Sequence, residues 1–243
     1  MLIVTEETLR SADLDADRKQ YHVAPGTLVT PLAREYLADR GIELVFGEQR
    51  SAMTSTPIEY RGNRTFIDAE SGVGYAEKPE RMTHLRANLL VPKTHPRIAF
   101  RGKLDSLQGE IIMAQCDACQ EGYPAMTEDL GQLLDLSRRL LAAEVKELSL
   151  DPPCLLGYDE SQLRRASHQV KEHFGIDHPT PGCQLGHLAA RLNLLRTQVR
   201  ETELAAEHAF AAGQRDDILL ALNRMSSAVY IILCRLLAGQ YGK

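Results

Sequence analysis

From about residue 96 onward the apolar positions recur at intervals of three and four, the spacing of one face of an α-helix. That pattern predicts five helices. The first runs from about Arg97 to Cys119. The second opens at Thr127, over Glu128 and Asp129, whose charges suit a helix N-terminus. Its apolar stripe is Leu130, Leu133, Leu134, Leu140, Leu141, Val145 and Leu148, and Asp151-Pro152-Pro153 ends it. The third spans Asp159 to Gly175, and the fourth follows Pro181-Gly182 and reaches about Gly213. The fifth runs from Asp216 to about Ala238, with Leu219, Leu222, Met225, Val229, Leu233 and Leu236 on one face.

The first eighty residues have a different texture. Tyr21-His22-Val23 predicts a short strand ending at Pro25-Gly26. Thr30 before Pro31 is an N-cap with proline at the first helical position, and that helix continues through Leu32, Tyr36 and Leu37 to Gly41. Ile42 to Phe46 predicts another strand. The following stretch is rich in glycine and proline and poor in apolar residues. The expected chain is therefore mainly α. It has a small N-terminal α/β module (1–50), a linker or long loop (51–80) and a five-helix bundle (81–243).

Composition narrows the class. Hydrophobic residues make up 44% and aromatic residues 5%, so Leu and Ala fill the core, as in helix-on-helix packing. The formal net charge is −5, and the basic residues are scattered among acids. That argues against a nucleic-acid partner. Five cysteines in a chain of 243 residues point to free thiols and a reducing cytoplasm. The N-terminus has acids where a secretory signal needs bases, and the apolar run from Ala228 to Cys234 is too short to span a bilayer.

The fourth helix carries the chemistry. At about 100° per residue, Asn193, Arg196, Arg200, Glu203 and Glu207 share one narrow stripe beside the apolar stripe of Leu188, Leu192, Leu195 and Val199. Two guanidiniums one turn apart at the rim of a core form a fork suited to phosphate oxygens. The same stripe also reads as a salt-bridged surface, with Arg200 and Glu203 paired along the helix. On the fifth helix Asn223, Ser226, Ser227 and Tyr230 make a polar strip, which reads equally as small residues that let helices approach.

Taken together, Pro181-Gly182, Leu188-Ala189, Arg196-Thr197, Arg200, Glu203 and Leu222-Asn223-Arg224-Met225-Ser226 resemble the corrinoid adenosyltransferases of the propanediol-utilisation type. The ethanolamine-utilisation branch is more similar still, along Leu192-Asn-Leu-Leu-Arg-Thr197, Val199-Arg-Glu-Thr-Glu203 and Leu222 to Tyr230. Ser167-His168-Gln169, Thr83-His84-Leu85, Asp105-Ser106 and the Thr30-Pro31 module are also similar to it.

This resemblance implies a homotrimer with ATP bound between subunits and a cob(I)alamin or cob(II)alamin substrate. It implies that Arg196 and Arg200 contact the triphosphate, that Glu203 orders them, and that Arg196 pairs with Asp105 of a neighbouring copy. Asn223, Lys93 and Thr83 fall at further ATP-side positions, and Phe174, Thr180 and Tyr230 at candidate corrinoid contacts. Mg²⁺ is expected with the ATP. The reaction is attack of Co(I) on C5′ of ATP, and it needs no general base. The resemblance also suggests as partners a flavin reductase and an adenosylcobalamin-dependent ammonia lyase, with a bacterial microcompartment as the setting.

Two departures matter. Met82-Thr83-His84-Leu85 stands where the propanediol type has a Gly-rich Thr-Gly-Asp loop, and Thr180 stands where an aromatic residue precedes the Pro-Gly turn. Cys116 and Cys119, with His84 and His95, are a weak candidate zinc set. A non-catalytic corrinoid or ATP carrier, and a helical protein of a microcompartment, stay open as alternatives.

Overall fold

A computed structural model describes residues 3–6, 9, 20–23, 27–46 and 66–242. The chain divides into two compact units, Met1–Tyr60 and Arg61–Lys243. The expected Pro25-Gly26 turn and residues 51–65 of the expected linker lie outside the described residues.

The first unit holds β1 (Ile3–Val4), β2 (Gln20–Val23), β3 (Leu28–Val29), α1 (Pro31–Asp39) and β4 (Glu43–Phe46). β1 pairs with β3, and β2 with β4, both in parallel. The Thr30 hydroxyl accepts from the Ala33 amide at 3.3 Å, capping α1 as its Thr-Pro start requires. Gly41, at φ 66°, reverses the chain into β4. Ala33 and Leu37 face Val4, Val23, Val29 and Ile42 in a small core.

The second unit opens with a sheet whose first two strands lie in the expected linker and whose last two lie at the start of the expected bundle. Its strands are β5 (Phe66–Asp68), β6 (Gly74–Tyr75), β7 (Met82–Arg86) and β8 (Leu89–Pro92), in the order β6-β5-β8-β7. β5 and β8 are parallel, and the other neighbours are antiparallel. Strands of two to five residues are too short to display alternation, so the glycines around them dominated the reading.

Six α-helices follow: α2 (Pro96–Gln120), α3 (Pro124–Lys146), α4 (Glu160–His168), α5 (Val170–Phe174), α6 (His187–Ala209) and α7 (Asp216–Leu237). Four differ from expectation in detail. α3 starts at Pro124, upstream of Thr127, because the Thr127 hydroxyl donates back to the Tyr123 carbonyl within the first turn instead of capping. It stops at Lys146, before the prolines, with Glu147 in the left-handed region at φ 55°. The expected third helix is two, α4 and α5, parted at Gln169. α6 is preceded by a single 3-10 turn, Cys183–Leu185, and ends at Ala209, where Phe210 turns extended.

α2, α3, α6 and α7 share one core that contains Phe100, Leu107, Leu133, Leu195, Leu222 and Val229. α7 is long and apolar enough to cross a membrane, and 61% of its most apolar window is buried. That apolarity belongs to packing against α6 and its neighbours.

An ion cluster ties sheet to bundle. Glu144 of α3 is fully buried and accepts from Arg97 Nε at 2.6 Å and from Arg101 Nε. Arg101 also donates to the β7 carbonyls of His84 and Leu85, at 3.0 and 2.7 Å. Glu147 receives Arg97 and Arg86. Removing the central carboxylate strands two guanidiniums. The Glu144→Ala variant is therefore expected to lose about 3–5 kcal/mol in chemical denaturation. A loss below about 1 kcal/mol would show the cluster to be incidental.

Candidate functional site

Two helices build the site. α6 presents Asn193, Arg196, Arg200, Glu203 and Glu207, and α7 presents Asn223, Ser226, Ser227 and Tyr230. The apolar residues between these positions, Leu192, Leu195, Val199, Ala221, Leu222, Met225 and Val229, are buried against each other and fix both faces. Between the polar faces lies a cavity of about 600 Å³. Its wall includes Asn193, Arg196, Arg200, Glu203, Asn223 and Tyr230. The loop from α5 to α6 adds His178, Pro179 and Pro181, and the end of α4 adds Ser167 and His168. A second, open groove of about 520 Å³ continues along α6 past Thr197, Leu204 and Glu207.

The two arginines differ in their surroundings. Arg196 is half-buried and donates to Asn193 Oδ1 at 3.3 Å. Arg200 is exposed at the cavity wall and has no hydrogen bond or ion pair among the described residues. Glu203 does not pair with Arg200. It accepts from Asn223 Nδ2 at 2.9 Å. The helix-surface salt bridge that the spacing allowed is thus absent, and both guanidiniums keep most of their donors.

All the other buried or half-buried arginines described in the second unit meet carboxylates. Arg86 pairs with Glu147, Arg97 and Arg101 with Glu144, and Arg191 with Asp117. Arg215 pairs with Asp217, Arg224 with Glu160 and Arg235 with Asp129. Among the described residues Arg196 is the exception, a half-desolvated cation with a neutral partner.

Tyr230 and His178 close one end of the cavity. His178 Nδ1 lies 2.9 Å from the Tyr230 hydroxyl, and their rings stack with centroids 6.1 Å apart. Burial, reinforced by Cys234, raises the Tyr230 pKa, which favours the neutral phenol. Sequence reasoning passed over His178 because it stands in a loop without periodicity. Its only signal was its place two residues before Thr180.

The other candidates fall elsewhere. Asp105 is exposed on α2, without a partner among the described residues and outside the cavity wall. Lys93 lies just beyond β8 and donates to Glu80 at 2.8 Å. Thr83 lies in β7 opposite Val91. Neither belongs to the cavity wall. Thr180 is exposed between the wall residues Pro179 and Pro181. Phe174 is 7% exposed and packs in the core one turn after Val170, so it is not presented to a ligand.

The zinc set does not assemble. His95 caps the N-terminus of α2, and its ring accepts from the Arg97 amide. Cys116 is 21 residues further along the same helix, roughly 30 Å away. Among the described residues no group of three His, Cys, Asp or Glu side chains is placed to hold a metal.

The sequence profile of the family described as cobalamin adenosyltransferase matches residues 75–236. The chain is 30% identical over 245 residues to the corrinoid adenosyltransferase EutT of Salmonella typhimurium (strain LT2), a match covering 95% of this chain and 90% of that protein. It matches the corrinoid adenosyltransferase EutT of Escherichia coli (strain K12) at the same identity and coverage. The corrinoid adenosyltransferase PduO of Salmonella typhimurium (strain LT2) is 27% identical over 154 residues, 62% of this chain and 45% of that protein. No solved structure matches the chain.

The cavity end near Tyr230 also fixes a chemical contrast among the free thiols. Burial pushes the Cys234 thiol up to about 11, and thiolate is the reactive form. At pH 8 a thiol reagent should therefore label exposed Cys183 in the native protein and reach Cys234 only after unfolding. Peptide mapping that finds native Cys234 labelled as fast as Cys183 would contradict this arrangement.

Proposed function

Since the chain belongs to the cobalamin adenosyltransferase family and is a corrinoid adenosyltransferase, a transferase, we propose that ATP is its adenosyl donor and that the α6–α7 cavity receives the nucleotide. Arg196 and Arg200 take the triphosphate. They are permanently charged, stand one turn apart and keep free donors toward the cavity. Glu203 and Asn223 hold each other at the edge of that fork. In the reaction the Co(I) lone pair forms a Co–C bond to C5′ as the C5′–O bond breaks, and the triphosphate leaves with the electron pair. The protein's contribution is to hold both reactants in line and to match the charge on the departing oxygens.

The observation that carries the reading is the half-buried Arg196 without a carboxylate, in a bundle that gives one to each comparable arginine described. Such a site is incomplete by itself, and the anion it lacks is the nucleotide, a neighbouring copy's carboxylate, or both. Asp105, exposed on α2 and without a partner among the described residues, is the carboxylate that the resemblance assigns to this role. Leu204, 58% exposed in the groove beside Arg200, and Ile112 and Met113 on α2 supply apolar surface for a second copy. The assembly we propose is the homotrimer that the family resemblance implies, with Arg196 facing Asp105 of the neighbouring subunit.

Mg²⁺ accompanies the ATP and is held chiefly by phosphate oxygens and water, since no protein cage assembles for it among the described residues. The corrinoid approaches from the end of the cavity formed by Tyr230 and His178. The similarity to EutT supports a role in ethanolamine utilisation, and the setting we propose is the cytoplasm, in association with a microcompartment. There a flavin reductase delivers the electron for Co(I), and an adenosylcobalamin-dependent ammonia lyase consumes the product.

The test is anaerobic mixing of the protein, ATP and chemically reduced cobalamin while the Co(I) absorption is followed. ATP-dependent loss of that band is expected, and Arg200→Ala should slow it roughly hundredfold or more while leaving the oligomer intact. A persistent Co(I) band in the wild type, or wild-type turnover in the variant, would refute the assignment.

A further inference from the structure

Arg224 stands on α7 where its neighbours are apolar. Ala221, Met225 and Ala228 are buried, and Arg224 itself is 8% exposed. A cation at such a position must be matched. Its Nε donates to Glu160 Oε1 at 2.6 Å, and its Nη1 donates to Asn223 Oδ1 at 2.8 Å. Glu160 is the first residue of α4, secured there by the Asp159–Gln162 capping box.

A guanidinium has donors and no acceptor. The Asn223 atom that faces it must therefore be the amide oxygen, and the amide nitrogen must face the other way. Nδ2 indeed donates to Glu203 Oε1 at 2.9 Å. Glu203 lies one turn from Arg200 and two turns from Arg196, and all three line the cavity with Asn223. One amide hydrogen is thus engaged by Glu203, and the second remains for a ligand.

We infer that Arg224 is a positioning residue that locks the Asn223 carboxamide with its N–H groups toward the nucleotide, without touching the nucleotide itself. The inference rests on the reading of this cavity as the ATP site. The terminal torsion of asparagine has two broad, nearly equivalent wells. Without the lock, the amide oxygen can turn toward Glu203 and the phosphates, setting acceptor against acceptor. Arginine suits the role because its fork reaches two acceptors at once and never loses its proton. Lysine keeps a charge for Glu160 but has a single ammonium and does not span both.

The test is the KM for ATP and the kcat of the full chain in Arg224→Lys, Asn223→Ala and the double variant. Arg224→Lys should raise KM about tenfold with kcat little changed. Asn223→Ala should raise KM at least as much, and the double variant should be no worse than Asn223→Ala alone. If the two effects multiply in the double variant, Arg224 acts by another route and the inference falls, while the ATP reading stands. If Asn223→Ala leaves KM unchanged, the ATP reading of the cavity falls instead. Asn223→Asp is the second arm should Arg224→Lys fail to fold. It keeps an acceptor for Arg224 but turns a carboxylate toward Glu203 and the phosphates. Its KM should exceed that of Asn223→Ala, and ATP binding as tight as wild type would overturn the donor assignment.

Discussion

A guanidinium keeps its proton at any pH a cell reaches, so each arginine drawn toward the core of a helical bundle has to be met by an acceptor. This chain meets that demand repeatedly. Arg97 and Arg101 share the buried Glu144, Arg191 reaches across from α6 to Asp117, and Arg235 holds Asp129. These pairs join α2 to α3, α2 to α6 and α7 to α3, and they complement a core made almost wholly of Leu, Ile, Val and Ala. Against that background, Arg196 is set apart by what it lacks. A fold that gives carboxylates to its other inward arginines leaves Arg196 open to a cavity beside the exposed Arg200, the arrangement that we propose receives a polyanion.

The neighbouring polar residues make the same point from the other side. Glu203 had the spacing to neutralise Arg200 but is turned to Asn223. Asn223 is in turn held by Arg224 and, through it, by Glu160 at the start of α4. The chain of contacts runs from a helix cap, through a buried charge, to a single amide at the cavity wall. Its effect is that Glu203 organises the wall without quenching the arginines. Catalysis of this kind asks the protein for position and fixed charge more than for proton transfer.

Much of this was legible in the sequence, for identifiable reasons. The long helices announced themselves because Leu and Ala recur at helical spacing over twenty residues, and the Thr30-Pro31 start of α1 is local chemistry. The stripe of Asn193, Arg196, Arg200 and Glu203 could be drawn because α6 is regular. What stayed hidden depends on contacts distant in sequence. The strands between Phe66 and Pro92 are short and become strands only by pairing with one another. Nothing local to Glu144 reveals that it is fully buried between two arginines. His178 enters the cavity wall through a loop, and Phe174 leaves it for the core. Arg224 offered a signal that went unused, since a charged residue inside an apolar stripe must have a partner somewhere.

In the proposed assembly, the arginine pair is completed by a carboxylate from a second copy of the chain. Subunit mixing distinguishes a shared site from one built within a single chain. Arg196→Ala and Asp105→Ala chains, each expected to be inactive alone, are unfolded together, refolded as a mixture and assayed for adenosyl transfer. If the site lies across the boundary, random assembly rebuilds an intact Arg196–Asp105 contact at about a quarter of the interfaces, and roughly that share of wild-type activity returns. Mixed assemblies that form and remain as inactive as either parent would contradict a shared site.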